Sequence, residues 1–284
     1  MGVFFNQCAQ LGADISTMWA RYGLQYLGGM WSTIKLAVLG TAIGCLIGFL
    51  CGVLSTIPCA PQDNPFKRFF LKLIRGIIRI YVEFFRGTPM ILQAVFIFYG
   101  LPYFTGNAAR WSSVFVASLV TVSINTGAYM AESVRGGFLS IDPGQTEGAK
   151  AIGMNHFQTM LHVIIPQAFR VLLPQIGNNL IINIKDTSVM FIIGYGELFS
   201  IHRAAVGASY LYFPSAAIEM VAYLCMTVLA SCLLRLVERI MDGSSNYELV
   251  QEDPLTMTAG TYNHPDRGTP FDEHSREYQE GGKH

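Results

Sequence analysis

Residues 27–57 read LGGMWSTIKLAVLGTAIGCLIGFLCGVLSTI and contain a single charged side chain, Lys35. The run exceeds the ~20 apolar residues that a helix needs to cross a bilayer core. Glycine recurs in it at every fourth position, as Gly40, Gly44, Gly48 and Gly52. Small residues four apart share one flat face of a helix, on which a second helix can pack closely. The stretch therefore predicts a membrane-spanning helix with a glycine-lined packing face.

The composition of the whole chain also indicates a membrane protein. Of its 284 residues, 51% are hydrophobic and 13% are charged, whereas soluble domains usually carry about 25% charged residues. The formal net charge is zero, so nothing indicates a nucleic-acid partner. The six cysteines have neither metal-site nor disulfide-scaffold spacing. We expect an all-α membrane protein with no metal site and no cofactor.

Four further apolar segments bring the expected number of membrane spans to five. They are Pro89–Phe104, Trp111–Val134, about Leu172–Ile193 and Pro214–Leu236. The resulting organisation has an extracytoplasmic or interfacial segment at 1–26, a transmembrane domain at 27–241 and a tail at 242–284. The tail is polar and rich in Gly, Pro and Asp, so it cannot bury enough apolar area to fold, and we expect disorder.

The distribution of Lys and Arg between the loops predicts the orientation. Basic residues concentrate before the second span, between the third and fourth spans, and after the fifth. The other side has only Arg21, Arg110 and Arg203. We therefore place the N-terminus outside and the C-terminus in the cytoplasm. In residues 64–85, NPFKRFFLKLIRGIIRIYVEFF, basic and apolar residues alternate at helical spacing, which predicts an amphipathic helix on the inner membrane surface.

Three of the predicted spans carry polar side chains. The set comprises Asn125, Tyr129, Asn179, Asn183, Lys185, Asp186, Thr187, Ser188 and Glu219. Polar groups inside a membrane normally face the bundle interior or an aqueous cavity. Two interpretations stay open: the groups line a solute pathway, or they pair with one another and only hold the bundle together.

Residues 142–166 predict a pair of short helices on the cytoplasmic side. Asp142 is a good N-cap and Pro143 fits the first helical position. Gln145 stands where the capping-box partner of Asp142 is expected. Gly153 supplies the left-handed residue that ends the first helix, and Asn155 caps the second. We expect the second helix to stop at Pro166, which gives a rigid knob suited to the groove of a partner protein.

Several of these segments resemble one transporter family. The stretch EGAKAIGMNHFQTMLHVIIP resembles the EAA signature of ABC-importer membrane subunits, through Glu147, Ala149, Gly153 and the apolar pair before Pro166. It departs from that signature at Gly148, where Ala is usual. Three other stretches are similar to segments of polar amino-acid permeases: FFRGTPMILQAVFIFYGLP, NTGAYMAESVRGG and PQAFRVLLPQIGNNLIINIKDTSV. The resemblance covers residues 27–240.

The resemblance implies a type I ABC-importer transmembrane domain with about five transmembrane helices and a cytoplasmic coupling helix. Such a chain is the permease subunit of an ATP-driven, binding-protein-dependent importer of polar amino acids in the bacterial inner membrane. The implied partners are a cytoplasmic ATPase, an extracytoplasmic amino-acid-binding protein and a second permease subunit. The residues implied to couple to the ATPase are Glu147, Gly148, Ala149, Gly153 and Pro166. The chain itself has no phosphate-binding G-x-x-x-x-G-K-[ST] loop, so we expect no ATP hydrolysis by it.

The same sequence argues against other classes of membrane protein. A secondary transporter usually shows internal repeats, and neither the glycine face nor the Gly153 turn recurs. A membrane assembly protein would not need polar stripes in three spans, and a channel usually repeats a filter segment. The intramembrane charges suit a zwitterionic or a cationic amino acid equally well. A homodimer and a heterodimer stay equally open.

Overall fold

The computed structural model describes residues 2–57 and 64–242, with side chains at 6–57 and 64–241. Over these residues the chain is helical, which confirms the expected all-α class. The helices are α1 (Gly2–Thr56), α2 (Pro65–Gly87), α3 (Met90–Phe104), α4 (Val114–Leu139), α5 (Pro143–Ala151), α6 (His156–Thr159), α7 (Ile165–Asp186), α8 (Leu198–Ser209) and α9 (Tyr212–Asp242). A π-helical turn, Met160–Ile164, precedes α7, and a 3-10 helix, Thr187–Ile193, follows it. Apart from Asp242, the predicted disordered tail lies outside the described residues.

Three helices are long and apolar enough to cross a membrane alone: α1, α4 and α9. Two bent helix pairs pass the same test only when each is taken as one broken span. One pair is α2 with α3, bent by 114°, and the other runs from α6 through the 3-10 helix to α8, bent by 54°. The chain thus has three to five spans by length and composition. Helix α8 was not expected from the sequence.

The four glycines of α1 lie against α4. A Cβ placed on Gly40, Gly44, Gly48 or Gly52 would overlap in turn with one α4 residue: Val122, Thr126, Met130 and Val134. The two helices therefore run parallel with one contact per turn, and their backbones approach as closely as glycine permits. Two of these α4 residues, Met130 and Val134, also form an apolar cluster with Leu172 of α7.

Segment 1–26 does not form a separate element, because α1 continues through it without a break. Met18, Tyr22 and Tyr26 are buried in the largest apolar cluster, with Leu198 of α8 and Ile218 of α9. These three α1 residues are four apart and so share one helix face. No helix boundary lies at residue 26, since no proline or turn sequence interrupts the helical spacing there.

The corner between α2 and α3 lies at Thr88 and Pro89. Pro89 is extended, at φ −64° and ψ 135°, and it cannot donate a backbone hydrogen bond to a continuing helix. As predicted, α2 is amphipathic, and Asn64 caps its start by accepting a hydrogen bond from the Phe66 N–H at 3.0 Å. Tyr81 fastens α2 to α4 by donating to the Ile124 carbonyl at 2.6 Å.

The helix that begins at His156 does not stop at Pro166, and that expectation was wrong. The wider π turn, in which the Ile165 N–H donates to the Met160 carbonyl, lets the chain pass the proline and continue as α7. The predicted cap at Asn155 is confirmed, and Gln158 completes a capping box with it. The one expected at Gln145 is not formed, because Gln145 Oε1 accepts instead from Gln167 Nε2 at 3.1 Å.

Candidate solute pathway and coupling surface

Two asparagines of α7 tie three helices together. The Asn183 amide donates to the hydroxyls of Thr41 on α1 and Thr126 on α4, at 2.7 and 2.9 Å. One turn earlier, the Asn179 amide nitrogen lies 3.1 Å from the sulfur of Met130 on α4. Both asparagines are buried. They were predicted for a pathway, and the structure places them inside the bundle with their hydrogen bonds already made.

Asn125 of α4 is also engaged within the chain. Its Nδ2 donates to Oε1 of Gln93 on α3 at 2.9 Å. Gln93 Nε2 in turn lies 2.8 Å from the Phe85 carbonyl oxygen and 2.9 Å from both oxygens of Thr88. This buried group holds the α2–α3 corner against α4. Gln93 was missed from the sequence because a lone glutamine in an apolar segment has no spacing pattern to mark it.

Beside these asparagines, a neighbouring side of α7 carries mostly polar residues that no part of the described chain covers. Gln175, Asn178, Ile182, Lys185 and Asp186 are all exposed, whereas the residues between them are mostly buried. Steps of three or four residues place them on one side of the helix. We name these five residues the exposed face of α7. Lys185 and Asp186 were predicted as pathway residues, and Gln175 and Asn178 were not.

The last two polar residues predicted at the end of α7 differ in exposure. Thr187 is fully buried, and its hydroxyl donates to the Ile184 carbonyl at 3.0 Å. Ser188 is half-buried and borders a groove of about 610 Å³ together with Lys185. The groove is otherwise mostly apolar, formed by Phe199, Met220, Val221, Tyr223, Leu224 and Thr227.

Glu219 of α9 lies buried against α8 rather than on an open surface. Its Oε2 is 3.5 Å from Nδ1 of His202. The same ring nitrogen lies 2.8 Å from the Ser215 hydroxyl, which pairs with the Tyr26 hydroxyl at 2.5 Å. The group joins α1, α8 and α9. The sequence marked Glu219 as polar but could not show that His202 lies beside it.

A second buried carboxylate, Glu197, caps the start of α8. It accepts hydrogen bonds from the N–H groups of Phe199 and Ser200, at 2.7 and 2.8 Å, and from the Tyr223 hydroxyl at 3.1 Å. A carboxylate is favourable at this position because helix N-termini carry a partial positive charge. Glu197 was missed because α8 itself was not predicted.

A cleft of about 510 Å³ opens between α1, α2 and α4. Its charged lining consists of Arg75, Arg79, Arg86, Arg135, Glu83 and Glu132. Glu83 pairs with Arg79 at 2.9 Å. Glu132 is shared by Arg86, which is in contact with it, and by Arg135 at 3.4 Å. The Arg86 guanidinium also lies 5.5 Å from the ring centre of Tyr129, a predicted pathway residue that is 42% exposed.

Arg75 differs from the other three arginines of the cleft. One of its terminal nitrogens donates to the Ile57 carbonyl, and its Nε has no hydrogen-bond partner within the described chain. No carboxylate of residues 6–57 and 64–241 pairs with it. The cleft thus holds one guanidinium that has no carboxylate partner among these residues and can still donate a hydrogen bond to an anionic group. Those same residues contain no group of three His, Cys, Asp or Glu side chains arranged to hold a metal ion.

The α5–α6 pair forms a compact projection. Asp142 caps α5 by accepting from the Gly144 N–H at 2.8 Å, and Gly153 has the left-handed φ of +84° at the turn. Ala149 is buried, whereas Glu147 and Gly148 are exposed. Two large apolar side chains, Ile152 and Phe157, are exposed on either side of the Gly153 turn, at 79% and 71%. Exposed apolar groups beside a rigid turn are suited to a protein contact.

These features define a class of protein: an all-helical membrane subunit with one uncovered polar face and a helical projection. Residues 44–243 match the family described as binding-protein-dependent transport system inner membrane component. The chain belongs to this family, which confirms the resemblance to ABC-importer permeases.

Known relatives agree with the family. The chain is 36% identical over 229 residues to the glutamine transport system permease protein GlnP of Escherichia coli (strain K12), covering 80% of this chain and 97% of that protein. It is 30% identical to the arginine transport system permease protein ArtQ of Bacillus subtilis (strain 168), covering 75% and 90%. A solved amino acid ABC transporter with histidines superposes with a TM-score of 0.67 at 32% identity, covering 78% of this chain and 96% of that one. The MetNI methionine ABC transporter shares the fold at 20% identity, with a TM-score of 0.63 and coverage of 78% and 98%.

Proposed function

We propose that the chain forms, together with a second permease subunit, the path by which a polar amino acid crosses the bacterial inner membrane. The observation that carries this proposal is the exposed face of α7. Polar side chains in a membrane span face a protein interior or a water-filled cavity rather than lipid. Because no described part of the chain covers this face, the path lies between it and the second subunit. The relatives named for glutamine and arginine transport support an amino acid as the solute.

The predicted pathway residues then divide into two groups. Tyr129, Lys185, Asp186 and Ser188 remain proposed pathway residues, joined by Gln175 and Asn178. The others are buried and already engaged inside the chain. Asn125, Asn179 and Asn183 bond to neighbouring helices, Glu219 pairs with His202, and Thr187 bonds within its own helical turn.

The arginine cleft supports an amino acid as the solute. Every amino acid carries a carboxylate, and a guanidinium binds carboxylates with matched geometry. Arg75 is the cleft arginine without a carboxylate partner in the described chain, so we assign it to the carboxylate of the solute.

The α5–α6 projection couples this subunit to a cytoplasmic ATPase. Ile152 and Phe157 would enter a groove of the ATPase, and the Gly153 turn would set the angle between the two short helices. Glu147, Gly148, Ala149 and Pro166 form or flank that unit. In this arrangement the projection and the C-terminus are cytoplasmic, the N-terminus is outside, and an amino-acid-binding protein delivers solute at the α8 end. ATP hydrolysis takes place on the partner chain.

A secondary transporter and a membrane assembly protein are the alternatives, and family membership argues against both. The deciding experiment is uptake into sealed vesicles that contain this chain, its ATPase and the binding protein. We expect amino-acid uptake only with ATP and the binding protein present. Uptake that continues without ATP would contradict an ATP-driven importer.

A further inference from the structure

Lys185 and Asp186 lie close to the middle of the bundle. Asn183, two residues before Lys185, is hydrogen-bonded to Thr126. Thr126 is twelve residues after the start of α4 at Val114 and thirteen before its end at Leu139. Since α4 is long enough to span a bilayer alone, we take its midpoint as the level of the bilayer centre. The two charges therefore lie within about one helical turn of that level.

Neither charge finds its partner on a neighbouring helix of its own chain. No carboxylate of the described residues lies within ion-pair distance of the Lys185 ammonium. The two buried carboxylates of the adjacent α8–α9 region, Glu197 and Glu219, are bonded to other groups. Adjacent residues on a helix point about 100° apart, so Lys185 and Asp186 do not face each other. Charges at this depth require a partner.

The two residues flank a seam on the exposed face of α7. Ile182 and Val189 lie between their directions, while Ile184 and Thr187 point into the bundle. The positive charge is thus on one side of the seam and the negative charge on the other. When two copies of α7 face each other across a two-fold axis along the membrane normal, the left side of each helix lies opposite the right side of the other. Such an axis places each lysine opposite the aspartate of the other subunit.

We infer that two copies of this chain meet along α7 through reciprocal ion pairs, Lys185 of each copy with Asp186 of the other. The inference rests on the proposed two-subunit importer and commits it to a homodimer at this contact. The face is self-complementary in charge, which a solute-lined wall does not require. The two pairs neutralise all four charges near the bilayer centre and close the path between the subunits at that level.

Charge exchange in trans tests the inference. Two copies with different tags are co-expressed with the ATPase and the binding protein, one carrying Lys185→Asp and the other Asp186→Lys. A dimer of two identical variants, called a like pair, places four charges of one sign at the seam. A dimer of the two different variants, called a mixed pair, restores opposite charges at both contacts. Sequential purification on both tags should recover mixed pairs in roughly tenfold excess over like pairs, because like charges in apposition oppose association. Recovery of mixed pairs at the random proportion would overturn the inference.

A matched control comes from α9, where Glu238 and Arg239 are also adjacent and opposite in charge. Glu238→Lys co-expressed with Arg239→Glu should give random mixing, and an equal excess of mixed pairs there would count against the seam. If the single variants fail to accumulate, the double variant Lys185→Asp/Asp186→Lys on one chain should pair with itself as the unaltered chain does. Its failure to pair would contradict the inference.

The two proposals fail separately in these measurements. If the unaltered chain takes part in ATP-driven uptake but does not pair with itself, the homodimer is contradicted and the importer function is not. Enriched mixed pairs without any ATP-driven uptake would support the seam and count against the importer function.

Discussion

The two polar sides of α7 are alike in composition and opposite in role. Asn179 and Asn183 point into the bundle and hydrogen-bond to α4, and Asn183 also to α1. Gln175 and Asn178 are one turn apart on the other side and exposed. Asn178 and Asn179 differ by one position, which on a helix is a rotation of about 100°. That rotation separates a side chain that holds helices together from one that can meet a solute or a second subunit.

The difference between the two sides is one of available partners, and it leads to different expected phenotypes. Inside the bundle, neighbouring helices place an acceptor for each amide, the Thr41 and Thr126 hydroxyls for Asn183 and the Met130 sulfur for Asn179, so its loss should reduce stability. On the exposed face, the amide has no neighbour in the described chain, so its loss should alter transport and leave the fold intact. Substitutions on the two sides therefore test the comparison directly.

The largest expected effect on stability is that of Asn183→Leu. Leucine has the same number of side-chain heavy atoms in a similar branched outline but cannot donate to Thr41 and Thr126, so two interhelical hydrogen bonds are lost. Hydrogen bonds between membrane helices contribute about 0.6–1.7 kcal/mol each, so we expect a loss of about 1–3 kcal/mol. The measurement is the thermal stability of the detergent-purified subunit, followed by size-exclusion chromatography. An unchanged stability would contradict the role of Asn183 as an internal tie.

Asn178→Leu is the matched control on the other side of the same helix. It should leave stability within about 0.5 kcal/mol of the original, because an exposed side chain without partners contributes little. Uptake in the reconstituted vesicles should fall, since a polar group of the proposed path becomes apolar. A stability loss equal to that of Asn183→Leu would erase the distinction between the two sides.

The sequence predicted the helical class, most of the spans and the turn at Gly153, because these depend on local spacing and on residue type. A close helix contact on α1 was foreseeable because glycines repeat every fourth residue, but the identity of its partner, α4, was not. The direction of each polar stripe was not foreseeable, since helical periodicity gives relative angles and leaves the orientation of the helix open. Gln93 and His202 depend on partners 32 and 17 residues away in sequence, Asn125 and Glu219, and only the tertiary fold brings each pair together.

Gln93→Leu extends the comparison to the α2–α3 corner. The substitution removes the acceptor of the Asn125 amide and the donor to Phe85 and Thr88. A buried group left without its partner costs about 1–3 kcal/mol, and we expect a loss in the lower half of that range because Asn125 also approaches the Phe85 carbonyl at 3.4 Å. The loss should be visible as faster proteolysis at the corner. Gln175→Leu, on the exposed face, should leave the proteolysis rate unchanged, and equal rates in both variants would refute the assignment of Gln93.

Gly153→Val tests a residue whose conformation, rather than its contacts, is special. Valine in the left-handed region costs about 1–2 kcal/mol, and no other atom lies near enough for the change to cause a clash. We expect normal insertion and stability of the bundle, with weaker co-purification of the ATPase or loss of its coupling to uptake. Gly136→Val, an exposed α4 position with an ordinary helical φ and open space around it, is the control. Wild-type uptake and normal ATPase retention in Gly153→Val would show that the turn does not set the coupling geometry.

The smallest expected effect concerns the two kinds of arginine in the cleft. Arg79 is paired with Glu83 and 80% exposed, whereas Arg75 has a free Nε and no carboxylate partner in the described chain. If Arg75 receives the solute carboxylate, Arg75→Met should raise the KM for uptake about tenfold, which corresponds to roughly 1.4 kcal/mol of lost binding. Arg75→Lys should recover part of that loss, because lysine keeps the positive charge but lacks the forked geometry of the guanidinium. Arg79→Met should change the KM by less than about twofold, since an exposed ion pair contributes little. Equal KM values for Arg75→Met and Arg79→Met, with normal amounts of assembled transporter, would move the solute carboxylate away from this cleft.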